Sequence, residues 1–358
     1  MATVATRPLA AYREARVTTR LVVGVAALLA LCIAAAMVSL TLGPIHIPLS
    51  HVAGVVLDQI GIHASGFTRT EELVIEQIRL PRIIVGGLVG MALGVAGATM
   101  QGLFRNPMAD PGIIGVSAGG AVGAVLAIAL GLNTLFYLAL PLFAFLGAIG
   151  AALLVYGIAA VGGRFSMATL LLAGVAVSSL LGAVISAVIM LAPSNEALRE
   201  ILFWLAGGLD SRSWQHVHIS APLILGGTLL MAIIARDLNL LMLGDDDARS
   251  LGLRPGRARL TMLTIASMLT GTAVAVSGTI AFVGLVVPHI LRLIFGPDHR
   301  VLLPLSALGG ALFVMAADTL ARTVVQPGEF RVGVITALVG APFFIFLLVR
   351  NKRQTEAF

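Results

Sequence analysis

Apolar residues along this chain gather into long runs, separated by short polar breaks that carry glycine, proline or arginine. The runs lie at 21–42, 80–103, 112–131, 135–160, 168–192, 216–235, 258–278, 280–296, 303–322 and 331–349. Continuous runs of about 20 residues predict membrane-crossing helices, because barrel strands would instead show short alternating segments. The expectation is an all-α integral membrane protein with ten transmembrane helices. It divides into an N-terminal tail (1–20), a single transmembrane domain (21–349) and a C-terminal tail (350–358). Ten crossings return both termini to one side. Segments two to five and seven to ten then form two sets of four running in opposite senses, an inverted repeat of the kind common in transporters. The pair 258–278 and 280–296 is joined only through Ser277-Gly278-Thr279; one bent helix there would invert everything after it.

The first run, Leu21–Leu42, follows Arg7, Arg13, Arg16 and Arg20 and exceeds the usual signal-peptide core, so it reads as a retained helix with a cytoplasmic N-terminus. Gly43–Ile78 is the longest polar connection, and Ser50–Ile60 within it predicts a short surface helix.

Composition strengthens the membrane reading. Hydrophobic residues make up 58% of the chain and charged residues 11%, against about a quarter charged in soluble domains. The 40 glycines suit helices whose backbones approach closely in lipid. A single cysteine, Cys32, excludes an intramolecular disulfide and a multi-cysteine metal site. The net charge of +6 raises nucleic acid as a partner, but the arginines sit at segment ends as the positive-inside rule expects. In a ten-crossing topology only Arg69, Arg79, Arg82, Arg199, Arg212, Arg322 and Arg331 fall outside. Nucleic acid is therefore set aside.

Candidate chemistry is sparse. Gly86, Gly90, Gly94 and Gly97 share a helix face and point to close packing. Gly115-Val116-Ser117-Ala118-Gly119 fits the nucleophile-elbow pattern, yet Ser117 opens an apolar helix rather than following a strand, so an intramembrane hydrolase is the weaker reading. His216 and His218 make a poor metal site without a third ligand and are expected at the interface. Asp318 is the one carboxylate well inside an apolar run, with Arg322 on the same helix face. It is either a structural ion pair or a functional intramembrane charge, and a secondary transporter would need it as a coupling group. Arg79 and Arg82 share a face and, with Arg322, form an outer basic patch for an acidic partner or anionic ligand. The stretch Asp237–Arg259 holds Asp245–Asp247 at a helix start and Gly252 and Pro255-Gly256 at its end, a handle for another protein. No phosphate loop is present, so energy from a nucleotide would have to come from another chain.

Several blocks, in order, resemble the permease subunit of the ABC importers for vitamin B12, ferric siderophores and haem, the type II importers. They are RLPR (79–82), MQGLFRNPMADPGIIGVSAGG (100–120), LLLAGVA (170–176), LNLLMLGDDDARSLGL (238–253), SGTIAFVGLVVPHILRLIFGPDHRVLLP (277–304), ADTLAR (317–322) and GVITALVGAPFFIFLL (333–348). The resemblance implies a homodimer with the pathway on its two-fold axis, in a bacterial inner membrane with both termini cytoplasmic. It implies two ATPase subunits carrying ATP and magnesium, one periplasmic binding protein, and no cofactor or metal bound by this chain. It places binding-protein docking at Arg79, Arg82 and Arg322. It places the cytoplasmic gate at Asn106 and Met108 and at Ser166, Met167 and Ala168. ATPase coupling falls at Gly244, Asp245, Asp246, Asp247, Ala248, Arg249, Leu251 and Gly252. The triplet at 166–168 departs from the hydroxyl-rich form of the vitamin B12 members, and Arg331 stands where many members have proline. The block GLFRNPMADPGIIGVS is most similar to haem-importing members, which makes haem the expected cargo, with a ferric siderophore or vitamin B12 as alternatives.

Overall fold

The computed structural model describes residues 6–43, 45–59, 61–62, 66–161, 166–325 and 328–355. Arg164, expected in a cytoplasmic loop, and the outermost residues of both tails (1–5 and 356–358) lie outside the described residues. Every regular element in the described residues is helical.

In chain order the helices are α1 (Thr6–Thr41), α2 (Leu49–Gln59), α3 (Arg69–Leu73), α4 (Leu80–Leu103), α5 (Val116–Ala129), α6 (Ala139–Ala160), α7 (Met167–Met190) and α8 (Asn195–Leu205). They continue with α9 (Trp214–Ile233), α10 (Ala235–Leu243), α11 (Asp245–Ser250), α12 (Pro255–Ser277), α13 (Val283–Phe295), α14 (His299–Thr323) and α15 (Val332–Thr355). A π-helical turn, Val74–Arg79, joins α3 to α4, and a 3₁₀ turn, Pro111–Ile114, precedes α5. The expected surface helix at 50–60 is α2.

The fold corrects the count of ten transmembrane helices. Among the described residues seven helices are long and apolar enough to cross a membrane: Val17–Thr41, Arg69–Leu103, Ala139–Ala160, Met167–Met190, Trp214–Ile233, Pro255–Ser277 and His299–Thr323. Two expected spans become shorter apolar helices, Val116–Ala129 and Val283–Phe295, while the last apolar stretch, Val332–Phe346, is the first part of α15. The physical reason is local. Asp110 caps the 3₁₀ turn and Gly115 takes a left-handed φ of 79°, so helix begins only at Val116. Likewise Gly278 (φ 67°) and Phe282 (φ 68°) break the chain between α12 and α13. The 14 and 13 residues that remain extend about 20 Å, short of a hydrocarbon core of about 30 Å. The inverted repeat and the same-side termini were both counted on ten crossings, and the seven long helices do not carry either count.

The core forms around α4, which packs on α14, α12, α13 and α9, while α1 lies along α14 and α5 pairs with α6. Glycine decides how close these helices come. A Cβ on Gly90 would sit 2.1 Å from the Gly310 carbonyl oxygen, and one on Gly97 would sit 2.1 Å from that of Gly284. Backbone atoms cannot yield, so any side chain there would push α4 off α14 or α13. Proline inside α13 is handled by a side chain. Pro288 lacks the N–H that would bond the Gly284 carbonyl. The Gln101 Nε2 donates to that carbonyl at 3.0 Å and to Leu285 O at 3.3 Å.

Two ends of the bundle follow from helix direction. Arg82, Asp318 and Asp210 meet at one end. At the other, the α14 start at His299 lies against Gly102 near the end of α4, and Arg20 of α1 donates to Phe295 O at 3.1 Å. α15 begins at the Arg82 end, where the Gly333 N–H donates to Gly207 O at 3.2 Å.

Candidate functional site

At the Arg82 end, opposite charges are built into the helix ends. Arg82 enters on the first turn of α4, and Asp318 and Arg322 come from the last turns of α14, one helical turn apart. Arg82 donates from Nε at 3.0 Å and Nη2 at 2.8 Å to Asp318 Oδ1, and from Nη1 at 2.9 Å to Glu329. Arg322 Nε pairs with Asp318 Oδ2 at 3.2 Å. Asp318 is 2% exposed and Arg322 3%. A buried carboxylate held by two guanidiniums is a structural ion cluster, which decides between the two readings of Asp318.

The three arginines expected to dock a partner do converge here, but inward. Arg79 donates to the carbonyls of Leu40 and Ile45. Arg322 donates to Ser39 and Leu42 O. Both clasp the end of α1, and both are buried. The Arg82–Asp318 pair spans helices 236 residues apart, a separation that helical spacing cannot reveal. Nearby, Arg331 pairs with Asp210 and lies 4.3 Å over the Phe203 ring. That pairing gives this residue a role where the family resemblance expects proline.

At the opposite end the expected coupling stretch forms two short helices. α10 ends at Gly244 (φ 132°), and Asp245, Asp246 and Asp247 occupy the first turn of α11. Arg259 of α12 pairs with Asp245, and its hydrogen bond holds that carboxyl below the usual carboxylate range. Arg249 bonds Asp246 at 2.9 Å. Ala248 is buried, whereas Arg249, Leu251 and Gly252 are exposed. The unit is tied to the bundle by residues the sequence did not single out. Arg105 Nη2 donates to Leu241 O at 2.6 Å. Asn239 Nδ2 donates to Asp298 at 2.7 Å, and Asn239 Oδ1 accepts from the His299 backbone N–H at 3.0 Å.

Of the expected gate residues, Asn106 and Met108 lie just before the 3₁₀ turn at 111–114, and Ser166, Met167 and Ala168 lie at the start of α7. Asn106 Oδ1 accepts from Met108 N at 2.9 Å, closing the NPMA turn. Ser166 is the N-cap of α7 and makes no side-chain capping bond, Met167 is half-buried, and Ala168 is exposed. The turn itself packs on α7 so closely that a Cβ on Gly174 would lie 2.1 Å from Ile113 O. Ser117 sits in the first turn of α5, as expected of a helix start.

Two pockets lie in this half of the bundle. The first is lined by Phe203, Trp204, Gly208, Arg212, Ser277 and Arg331, together with the carboxylates Glu196, Glu200 and Asp210. The second is lined by Asp110, Ser117, Ala206, Thr279, Gly333 and Ala337. The helix breaks at 111–115 and 278–282 both contribute residues to the second pocket. Among the described residues no group of three or more His, Cys, Asp or Glu could hold a metal ion. His216, in the first turn of α9, is 3% exposed, while exposed His218 stacks on Trp214 with ring centroids 6.4 Å apart.

The profile of the FecCD transport family matches residues 30–350. The chain belongs to the FecCD transport family. It is a multi-pass membrane transport subunit. It is 47% identical over 293 residues to the "Cobalamin import system permease protein BtuC" of Halobacterium salinarum, covering 82% of this chain and 77% of that one. It is 43% identical over 280 residues to the "Hemin transport system permease protein HmuU" of Yersinia pestis, covering 77% and 83%. Among solved structures it is similar to an inward-facing transporter assigned to the metal-chelate ABC type. There the TM-score is 0.81 at 31% identity, covering 91% of this chain and 98% of that one. The preference for a haem branch is corrected: family relatives span cobalamin, hemin and ferric citrate permeases without separating a haem-specific group.

Proposed function

We propose that this chain is the permease subunit of an ABC importer for a metal chelate, with cobalamin the favoured cargo and haem or a ferric siderophore the alternatives. The observation that carries the reading is the family match across residues 30–350, which covers both pockets. The higher identity to a cobalamin permease than to a hemin permease favours the corrinoid. In this reading a homodimer sits in a bacterial inner membrane with both termini cytoplasmic. Two partner ATPases carry ATP and magnesium, and one periplasmic binding protein delivers cargo. The ATPases seat on 244–252 at the Asp245 end. The residues Asn106, Met108 and Ser166–Ala168 lie toward the cytoplasmic exit. The binding protein meets the Arg82 end, where Glu329 accepts from Arg82 Nη1 and is the contact an acidic partner residue would replace. Buried Arg79 and Arg322 supply positive potential beneath that surface, which steers docking more than it adds affinity.

A secondary transporter would need a free coupling carboxylate at depth, and Asp318 is taken by two arginines. The test is reconstitution of the chain with its ATPase and binding protein in vesicles, comparing uptake of cobalamin, haem and a ferric siderophore. ATP-dependent accumulation with cobalamin preferred is expected. Uptake driven by an ion gradient without the ATPase would overturn the reading.

A further inference from the structure

The arginines at the Arg82 end are not equally matched. Arg82, Arg322 and Arg331 each meet a carboxylate, and Arg79 is capped by two carbonyls. Arg212 has no carboxylate in ion-pair range among the described residues. Its one polar contact is Nη1 at 3.0 Å from His216 Nε2. Its Nε is buried without a partner. The guanidinium is deeply buried although the residue keeps some exposed surface, and burial, with the Arg82 charge nearby, pulls it down to about 10.

His216 does not neutralise Arg212. The ring is the third residue of α9, and its Nδ1 lies 3.3 Å from the Ser213 backbone N–H and from Ser213 Oγ and 3.4 Å from the Tyr137 hydroxyl. Either hydroxyl can accept from Nδ1–H, which leaves Nε2 to accept from Arg212 Nη1. A neutral imidazole carries no negative charge, so the Arg212 cation lacks an anion. The start of α9 adds its positive helix end to the same spot. Arg212 lines the first pocket beside Ser277 and Arg331; the carboxylates Glu196, Glu200 and Asp210 line the same pocket but make no ion pair with Arg212.

We propose that Arg212 is an oxyanion-binding residue in the first pocket, taking a carboxylate or phosphate carried by the transported chelate through its unpartnered guanidinium edge. The guanidinium fork suits such a group. The identity of the cargo rests on the importer reading; the presence of an oxyanion site does not. A lipid headgroup phosphate has the same chemistry and is the competing source.

The test uses the full chain in nanodiscs of zwitterionic phosphatidylcholine, with inorganic phosphate as probe and binding read by calorimetry and by thermal shift. Saturable binding is expected. Arg212→Gln weakens it at least tenfold, Arg212→Lys retains most of it, and Arg199→Gln, at an exposed arginine lining the same pocket, leaves it unchanged. Equal binding by wild type and Arg212→Gln overturns the site. So does equal loss with Arg199→Gln, which marks unspecific surface charge. In discs containing phosphatidylglycerol, an unchanged phosphate response supports a soluble ligand, and its loss assigns the site to lipid and overturns the cargo assignment. In the reconstituted importer, Arg212→Gln is expected to raise the KM for cobalamin at least tenfold. The KM for cobinamide, the corrin without the phosphodiester, is expected to stay. Equal effects on both overturn the cargo contact. Failure of wild type to transport either corrinoid counts against the cobalamin reading, while the phosphate titration still decides the site.

Discussion

The two ends of the bundle hold charge in opposite ways. At the Arg82 end, Asp318 is 2% exposed and lies between two guanidiniums that also brace the end of α1 and the loop carrying Glu329. At the Asp245 end, the paired carboxylates are exposed: Asp245 is 37% and Asp246 97% open to their surroundings. Charges out of water are costly unless fully matched, so the first end is built to stay put. Exposed pairs contribute little to stability and can exchange partners, so the second end is suited to being gripped by another protein. Arg212 stands apart from both, a deeply buried cation without a matching anion.

The sharpest way to break this contrast is Asp318→Asn. It leaves two buried guanidiniums short of charge and is expected to cost about 3–5 kcal/mol, read as a large fall in melting temperature in detergent. An unchanged melting temperature would show that the Arg82 end is not locked by charge. Next is Gln101→Leu, which strands the Gly284 carbonyl opposite Pro288. A loss of about 1–3 kcal/mol is expected, and none would mean that the break in α13 needs no brace. Asp245→Asn is expected to shift stability by only about 0–1 kcal/mol. Yet it should loosen α11 from α12 and lower transport per ATP hydrolysed in the assembled importer; full coupling would remove the functional role of that pair. The smallest effect is in pH. Because Arg259 depresses the Asp245 carboxyl, the pair's contribution is present above the ordinary carboxylate pKa and is lost as pH falls through the lower folded value. Hydrogen exchange in α11 should therefore stay slow across the usual carboxylate range and rise only below it. Loosening at neutral pH would contradict the pairing.

Much of this was legible in the chain. The apolar runs located every long helix, the glycines of 86–97 marked the α4 packing face, and Asp245–Asp247 marked the start of α11. Sequence pattern failed where hydrophobicity and backbone geometry part company. The runs 112–131 and 280–296 read as full spans because Pro111-Gly112 and Gly278–Phe282 are almost as apolar as helix, yet their backbones unwind. The Arg82 cluster was half legible: Asp318 and Arg322 share a helix face, but Arg82 meets them only through tertiary packing. The same holds for Asn239 with His299 and for Arg212 with His216, whose meaning lies in what surrounds them rather than in their spacing.

The account stands on transport through a chain that is energised from its Asp245 end. The most direct measurement is cobalamin accumulation in vesicles holding this chain, its ATPase and its binding protein, with ATP supplied only on the ATPase side. The account predicts uphill, ATP-dependent accumulation that is lost when the ATPase is omitted. Accumulation that persists without the ATPase under an ion gradient would contradict it.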